Sequence, residues 1–365
     1  MAAPNSRRRR TYAAAVCTAV ALLTGNPAAD DLSLSPVVEG LDSPRGIAVG
    51  PAGRVLFTQG DGSFGEAVTK GNNAGTAAAV TMLGGVPATY IAPAIASDGR
   101  GQIYVLTAGG PPGSGAATLY RSTAGGMRPV ADIAAYQQTD PDPYNLADDP
   151  AESNPFGVAT LPDGSVLVSD AAANDLLRVY PNGRIITVAR LRPRMVPVPP
   201  EIVPFGFPPA GTLLPSEDVA TSVTVGADGY YYVGELRGVP ATPGYSQVWR
   251  IAPNSVDALC DPEAPNTGAC RRYADGFTSI VSLAAGRDGS IYVAELVKQS
   301  WFQWSELHLV DPPIGAVFRI PPGGGAAVEL APGELLLPAG LAVGRDGAVF
   351  VSNPVFGPGA VSRIQ

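Results

Sequence analysis

Two stretches of this 365-residue chain share one pattern, Gly157-Val-Ala-Thr-Leu-Pro-Asp-Gly-Ser-Val-Leu-Val-Ser-Asp170 and Gly340-Leu-Ala-Val-Gly-Arg-Asp-Gly-Ala-Val-Phe-Val-Ser-Asn353. Each consists of a short apolar segment, a tight Asp-Gly turn and a second apolar segment. Glycine accepts the positive φ that such turns require, so the pattern predicts a β-hairpin. Similar copies surround four more glycines, and the six turn glycines lie about 48 to 65 residues apart, at Gly53, Gly101, Gly164, Gly229, Gly289 and Gly347.

The segments after each hairpin complete a four-stranded unit. A third strand is predicted at Leu176-Leu-Arg-Val179 and its counterparts, and a fourth at Ile185-Ile-Thr-Val188. Four antiparallel strands repeated six times are typical of a six-bladed β-propeller. We therefore predict an all-β fold of this kind, formed as a single domain by residues 30–365.

The two ends of the chain predict how the ring of blades closes. The last unit stops at Gln365, directly after its third strand, whereas the strand Leu34-Ser-Pro-Val-Val38 precedes the first unit and has no partner there. We predict that this N-terminal strand completes the last blade, because closure removes an exposed sheet edge. The alternative, an open solenoid, would leave both ends unpaired.

The composition indicates a globular chain that does not bind nucleic acid. Charged residues make up 15% of the chain and apolar residues 45%, which is too apolar for a disordered protein. The 44 glycines and 37 prolines favour turns and short extended segments over long helices. The net charge of −8 argues against nucleic acid as a partner, because phosphate binding needs clustered Lys and Arg.

The N-terminal 29 residues have the organisation of an export signal. A basic run, Arg7 to Arg10, precedes an apolar run of twelve residues, Tyr12 to Leu23, and small residues follow before Asp30. Twelve residues fall short of the ~20 that a membrane-spanning helix needs, which disfavours a retained membrane anchor. We predict a cleaved signal at 1–29, a secreted or periplasmic protein, and no membrane span in the mature chain.

Two cysteines, Cys260 and Cys270, remain after removal of such a signal, and they bracket a short segment rich in turn-forming residues. In an oxidising compartment we predict that they form a disulfide. Free thiols are the alternative, whereas a metal site would lack a second Cys or His pair.

Three stretches carry a family resemblance: Glu152-Ser-Asn-Pro-Phe-Gly157, Asp170-Ala-Ala-Ala-Asn-Asp-Leu-Leu-Arg-Val179 and Tyr232-Val-Gly-Glu-Leu236. On these residues the chain resembles the ScyD/ScyE family, a group of exported six-bladed propellers related to the NHL-type class. The resemblance runs from about Leu34 to the C-terminus. It implies the fold and export, and it implies no particular ligand.

The repeat also predicts which residues lie at one mouth of the central channel. Six residues after each turn glycine, where the second strand of a unit ends, the chain carries an oxygen-bearing side chain: Gln59, Thr107, Asp170, Glu235, Glu295 and Asn353. Second strands end at the face where first strands begin, so residues before the first strands join them: Arg45, Asn154, Glu217 and Asp218. Propellers bind ligands on loops at a channel mouth, so we predict ligand binding by a subset of these residues: Arg45, Gln59, Asn154, Asp170, Asp218, Glu235, Glu295 and Asn353.

Two interpretations of this polar ring stay open. Asn154, Asp170, Glu235 and Glu295 could hold Ca²⁺, which prefers carboxylate and amide oxygens. Alternatively, each side chain caps its own blade by accepting hydrogen bonds from backbone N–H groups. The acidic insertion at 137–154 is a second candidate cation site, with a solvated acidic loop as the alternative.

The sequence contains no familiar catalytic constellation. His308 is the only histidine, and neither a Gly-x-Ser-x-Gly elbow nor a phosphate-binding loop is present. We therefore favour a non-catalytic propeller that binds a small molecule or a partner protein. The alternative is a Ca²⁺-dependent hydrolase or lactonase that resembles gluconolactonase-type propellers, in which Glu, Asn and Asp of successive blades hold a channel ion. A purely structural role in the cell envelope is a third hypothesis.

Overall fold

The hairpin at each turn glycine begins an antiparallel sheet, and the sheets follow one another around a central channel. The structure, a computed structural model, describes residues 32–68, 79–144 and 146–365. Within them the fold is an all-β propeller with six blades, as the sequence predicts. The predicted signal at 1–29 lies outside the described residues.

The first half of the chain forms blades 1 to 3. The N-terminal strand is β1 (Leu34–Asp42). Blade 1 contains β2 (Ile47–Val49), β3 (Val55–Thr58), β4 (Ser63–Val68) and β5 (Ala79–Gly85). Blade 2 contains β6 (Ala94–Ser97), β7 (Ile103–Leu106), β8 (Thr118–Thr123) and β9 (Gly126–Asp132), and the short helix α1 (Ile133–Gln137) follows it. Blade 3 contains β10 (Pro155–Thr160), β11 (Val166–Asp170), β12 (Asp175–Val179) and β13 (Ile185–Leu191).

The second half begins with an inserted hairpin and forms blades 4 to 6. The hairpin contains β14 (Arg194–Pro197) and β15 (Leu213–Ser216). Blade 4 contains β16 (Ala220–Val225), β17 (Tyr231–Glu235), β18 (Ser246–Ile251) and, after the short strand β19 (Ala258–Cys260), β20 (Cys270–Phe277). Blade 5 contains β21 (Ile280–Ala285), β22 (Ile291–Glu295), the helix α2 (Trp301–Ser305), β23 (Ala316–Ile320) and β24 (Val328–Leu330). Blade 6 contains β25 (Leu341–Val343), β26 (Val349–Asn353) and β27 (Pro358–Ile364).

The N-terminal strand closes the ring as predicted. β1 pairs antiparallel with β27, with Leu34 opposite Ile364 and Leu41 opposite Gly359. The strand extends four residues beyond the predicted Val38 because Leu41 is buried in the core cluster between blades 6 and 1. Blade 6 therefore combines three strands from the C-terminus with one from the N-terminus.

A disulfide joins Cys260 to Cys270, which confirms the predicted pair. It links β19 to the start of β20. β19 itself pairs in parallel with β13, where Leu191 lies opposite Cys260. The excursion between the third and fourth strands of blade 4 thus extends blade 3 by a fifth strand, an arrangement that the repeat does not predict.

Apolar side chains of neighbouring blades pack against each other and form the core. One cluster joins blades 3 and 4 around the fully buried Trp249, with Leu176 and Val233 against it, and it includes both disulfide cysteines. In the part of the chain that the structure describes, no helix is long and apolar enough to cross a membrane.

Hydroxyl groups close the seams between inner strands. In blade 6, Ser352 Oγ accepts a hydrogen bond from Gly340 N at 2.8 Å and donates to the carbonyl oxygen of Arg45, just before blade 1, at 2.8 Å. In blade 1, Thr58 Oγ1 makes the equivalent bond to the carbonyl oxygen of Pro93, just before blade 2, at 2.7 Å. These bonds fix consecutive blades to each other at the face where the first strands begin.

Candidate functional site

The first strands of all six blades line the central channel. The cavity at the face where these strands begin is about 70 Å³, and one apolar residue from each blade contributes to its wall: Ile47, Ile95, Val158, Val223, Leu283 and Leu341. A space of this size holds only a few water molecules. A larger ligand does not fit in this part of the channel. Toward their other end the same six strands line a second cavity of about 250 Å³.

Arg45 lies across the channel mouth and is buried. Its guanidinium stacks on the Phe156 ring at 3.6 Å from the ring centroid and donates to the carbonyl oxygens of Ala92, at 3.0 Å, and Phe156. Burial lowers the pKa of Arg45 to about 10, which still leaves it charged at neutral pH. The side chain ties blade 1 to blades 2 and 3 and helps to close the channel.

Asp170, at the end of β11, is fully buried and caps its own blade. Its carboxylate accepts hydrogen bonds from Asn154 N at 2.7 Å, Ala172 N at 3.1 Å and Ser153 Oγ at 2.6 Å. Burial raises the pKa of this carboxyl. The contacts are those of the capping interpretation.

Glu235 and Asp218 share one guanidinium in a buried triad. Arg237 contacts both carboxylates, and all three side chains are almost completely excluded from solvent. Trp249 Nε1 donates to the second oxygen of Glu235 at 3.0 Å. The two carboxyls share the single positive charge of Arg237 away from water, where an unpaired negative charge is costly. Burial raises the pKa of Glu235 to about 8. The triad holds the end of β17 in place beneath the mouth.

The remaining ring residues also bond locally. Glu295 accepts from Thr278 N at 2.7 Å, and burial raises its pKa to about 8. Gln59 accepts from Asp42 N of β1 at 3.0 Å, and Asn353 ends β26 with its backbone opposite Ala360. The Glu295 side chain thus bonds within blade 5, and the Gln59 side chain bonds across the closure of the ring.

The structure brings only part of the predicted calcium set together. The backbone N of Asn154 donates to Asp170, whereas the Asn154 amide bonds Tyr90 and Gly109. Glu235 belongs to the triad and Glu295 to the cap of blade 5. Among the residues that the structure describes, no three His, Cys, Asp or Glu side chains form a group that could hold a metal ion. Carboxylate oxygens of Asp170, Glu235 and Glu295 already accept hydrogen bonds from protein donors, so the ring as it stands does not fit Ca²⁺. The calcium site stays a prediction.

A groove beside the mouth offers more space than the channel cavity at the same face. It has a volume of about 530 Å³, within the range of small-molecule sites. Tyr90 and Asn154 lie at its centre, the hydroxyl of Tyr90 being 2.9 Å from Asn154 Nδ2. Gly109 N donates to Asn154 Oδ1 at 3.0 Å, which fixes the amide. We call this site the mouth groove and define it by the residues that line it: Tyr90, Gly109 to Pro112, Ala134, Gln138, Asp149 and Ala151 to Asn154.

The acidic insertion forms one wall of the mouth groove. Its beginning is fixed to blade 3, because Asp140 pairs with Arg190 and Asp142 accepts from Asn174 Nδ2 at 3.0 Å. Its later acidic residues, Asp149 and Glu152, line the groove. The insertion therefore separates into a structural part and a part that faces the space where a ligand could bind.

Two contributors to the mouth were absent from the sequence prediction. Arg237 follows Glu235 by two residues, and a basic residue so close to a predicted mouth carboxylate was the available signal. Tyr90 lies before β6 in a segment without repeat character, so the pattern gave no reason to select it.

No family model and no curated protein matches the chain. The chain is similar to the solved structure of a streptogramin B lyase, with 14% identity, 92% of this chain and 97% of that chain covered, and a TM-score of 0.50. It is also similar to the PQQ-bound form of an aldose sugar dehydrogenase from Streptomyces coelicolor, with 14% identity, coverage of 92% and 98%, and a TM-score of 0.52. A third similar structure is an oxidoreductase described as a glucose dehydrogenase, from Thermus thermophilus, with 17% identity, coverage of 92% and 100%, and a TM-score of 0.53. At these identities the likeness shows the propeller fold alone.

Proposed function

We propose that this protein is an exported, ScyD/ScyE-like propeller that binds a small polar molecule in the mouth groove without transforming it. The observation that supports this is the contrast between the ring and the groove. The carboxylates of Asp170, Glu235 and Glu295 bond within the protein. The groove, in contrast, is lined by Asp149 and Glu152 and has the volume of a ligand site.

The charge of the mouth groove supports a neutral or positively charged ligand. Its described lining residues include two carboxylates and no Lys or Arg. Tyr90 is 65% exposed, and the face of a tyrosine ring attracts organic cations. The disulfide supports export, because such bonds persist in oxidising compartments.

Calorimetric titration of residues 30–365 tests the proposal. The probes are tetramethylammonium and spermidine as organic cations and glucose as a neutral polyol. We expect saturable binding of at least one probe, weakened about three- to tenfold in Glu152→Gln for a cationic one, since this change removes one charge from the groove wall. Glu39→Gln, which removes an exposed carboxylate on β1, should leave binding unchanged. Absence of saturable binding for all three probes, or equal weakening in both variants, would contradict the proposal.

The Ca²⁺-dependent hydrolase alternative is tested on the same material. Ca²⁺ titration of the wild type, Glu235→Gln and Asn154→Ala is combined with an assay of gluconolactone hydrolysis. Turnover that needs Ca²⁺ and is lost in these variants would favour the hydrolase and refute a non-catalytic role.

A further inference from the structure

A second groove lies at the opposite end of the blades from the channel mouth. It has a volume of about 510 Å³ and runs beside the Asp-Gly turns of blades 4 and 5, at Gly226 and Gly289. Strand β17 leads away from this end toward Glu235 at the mouth. We call it the arginine groove and define it by its charged and aromatic lining residues: Asp228, Tyr232, Arg250, Arg271, Arg272 and Tyr273.

Two arginines face each other across one strand pair in this groove. Arg250 of β18 lies directly opposite Arg271 of β20. Residues paired in this way project from the same side of a sheet, and like charges directly opposite each other are destabilising. Arg250, Arg271 and one carboxylate, Asp228, line the groove in a chain whose net charge is −8. The third lining arginine, Arg272, pairs with Asp275.

The two opposed arginines are not equally compensated. Arg250 pairs with Asp228, whose Oδ2 accepts from Nη2 at 2.9 Å and from Nε at 3.1 Å. Arg271 is exposed, and its Nε donates to the carbonyl oxygen of Gly268 at 3.2 Å. Across residues 32–68, 79–144 and 146–365, Arg271 takes part in no ion pair. Its charge is therefore available to an external anion.

The backbone of Arg271 and the side chains around it are restrained. Arg271 follows the disulfide-bonded Cys270 directly, so its backbone position is covalently restrained. The Arg250 guanidinium stacks on Tyr230 at 3.3 Å from the ring centroid. Tyr232 and Tyr273 pack edge to face with ring centroids 4.9 Å apart. The Arg250 and tyrosine side chains would therefore lose little conformational freedom on binding, which favours affinity.

We propose that the arginine groove is a binding site for a small organic anion, whose carboxylate, sulfate or phosphate group is held by Arg271 and the adjacent Arg250. Guanidinium groups match the planar geometry of such oxyanions with paired N–H donors. The volume exceeds that of a bare oxyanion and suits a molecule that carries one. This site is separate from the mouth groove and does not depend on the function proposed for it.

Titration with anions at constant ionic strength tests the assignment. The probes are sodium sulfate, sodium phosphate and glucuronate, with glucose as the uncharged counterpart of glucuronate. We expect saturable binding of at least one anion, and the preferred probe identifies sulfate, phosphate or carboxylate as the recognised group. Arg271→Gln should weaken that binding about tenfold or more, because a hydrogen-bonded charge pair is lost.

The control is Arg128→Gln in blade 2. Arg128 lies opposite Arg121 in the same kind of cross-strand pair, it is exposed, and it is remote from the arginine groove. This variant should bind the anion as the wild type does. Equal weakening in both variants would show a general charge effect and overturn the proposal, as would absence of saturable binding for all three anions. Arg271→Lys keeps the charge without the paired donors and should retain intermediate affinity, so the result does not rest on one variant.

Discussion

At the scale of single residues, the closest packing lies where one blade meets the next at the channel mouth. Gly340 directly precedes β25, the inner strand of blade 6, and a Cβ atom there would overlap the carbonyl oxygen of Arg45. We expect Gly340→Ala to lower the free energy of unfolding by about 1–3 kcal/mol, the usual range for overpacking a tight site. Urea unfolding followed by circular dichroism measures the change.

Gly125→Ala is the matched control for this prediction. Gly125 lies in the exposed turn between β8 and β9, where the nearest atom to an added Cβ is Thr123 Oγ1 at 3.9 Å. Its free energy of unfolding should change by less than about 0.5 kcal/mol. A Gly340→Ala protein as stable as this control would mean that the seam between blades 6 and 1 opens more easily than the contacts indicate.

At the scale of elements, the closure of the ring depends on one strand. Without β1, strand β27 would present an unpaired edge, and the apolar side chains of Val38 and Leu41 would be lost from the cluster between blades 6 and 1. We predict that a chain lacking residues 32–42 melts at lower temperature and self-associates, because exposed edges pair with other chains. Differential scanning calorimetry and light scattering measure both effects. A monomeric truncated chain with unchanged melting temperature would show that β1 contributes nothing to closure.

The strands that follow the repeat were predictable because the pattern repeats six times. A turn glycine, preceded by Asp in four of the six units, marks each hairpin. The unpaired segments at the two ends of the chain predicted that β1 would pair with β27. Elements between the repeats had no such support. The segment between β18 and β20 places β19 beside β13 of the neighbouring blade, where the two strands pair in parallel. This contact joins segments far apart in the sequence, and the repeat pattern carries no information about it.

At the scale of the whole molecule, the sequence predicts which residues lie near the mouth and leaves their partners undetermined. Counting from the turn glycines placed Asp170, Glu235 and Glu295 at equivalent strand ends. Whether such a carboxylate points into the channel or into its blade depends on donors that come from distant segments. Arg237 and Trp249 supply them for Glu235, and backbone N–H groups supply them for Asp170. The repeat has no information about these blade-specific partners.

The buried carboxyls make the stability of the whole fold depend on pH. Burial raises the pKa of Glu295 from its ordinary value of 4.5 to about 8, and that of Glu235 in the same direction. Between these values the folded chain keeps a proton that the unfolded chain loses, so stability is highest at the acidic end of the window and falls as pH rises. Each such group contributes a slope of about 1.4 kcal/mol per pH unit.

Glu295→Gln keeps an acceptor for Thr278 N and removes the titration, so its free energy of unfolding should fall less steeply than that of the wild type from pH 5 to 8. Urea unfolding at four pH values, with Glu39→Gln as an exposed control of the same charge change, measures the difference. Parallel curves for the wild type and Glu295→Gln would show that Glu295 is ionised in the folded protein. Thr278 N would then donate to a carboxylate, not to a carboxylic acid.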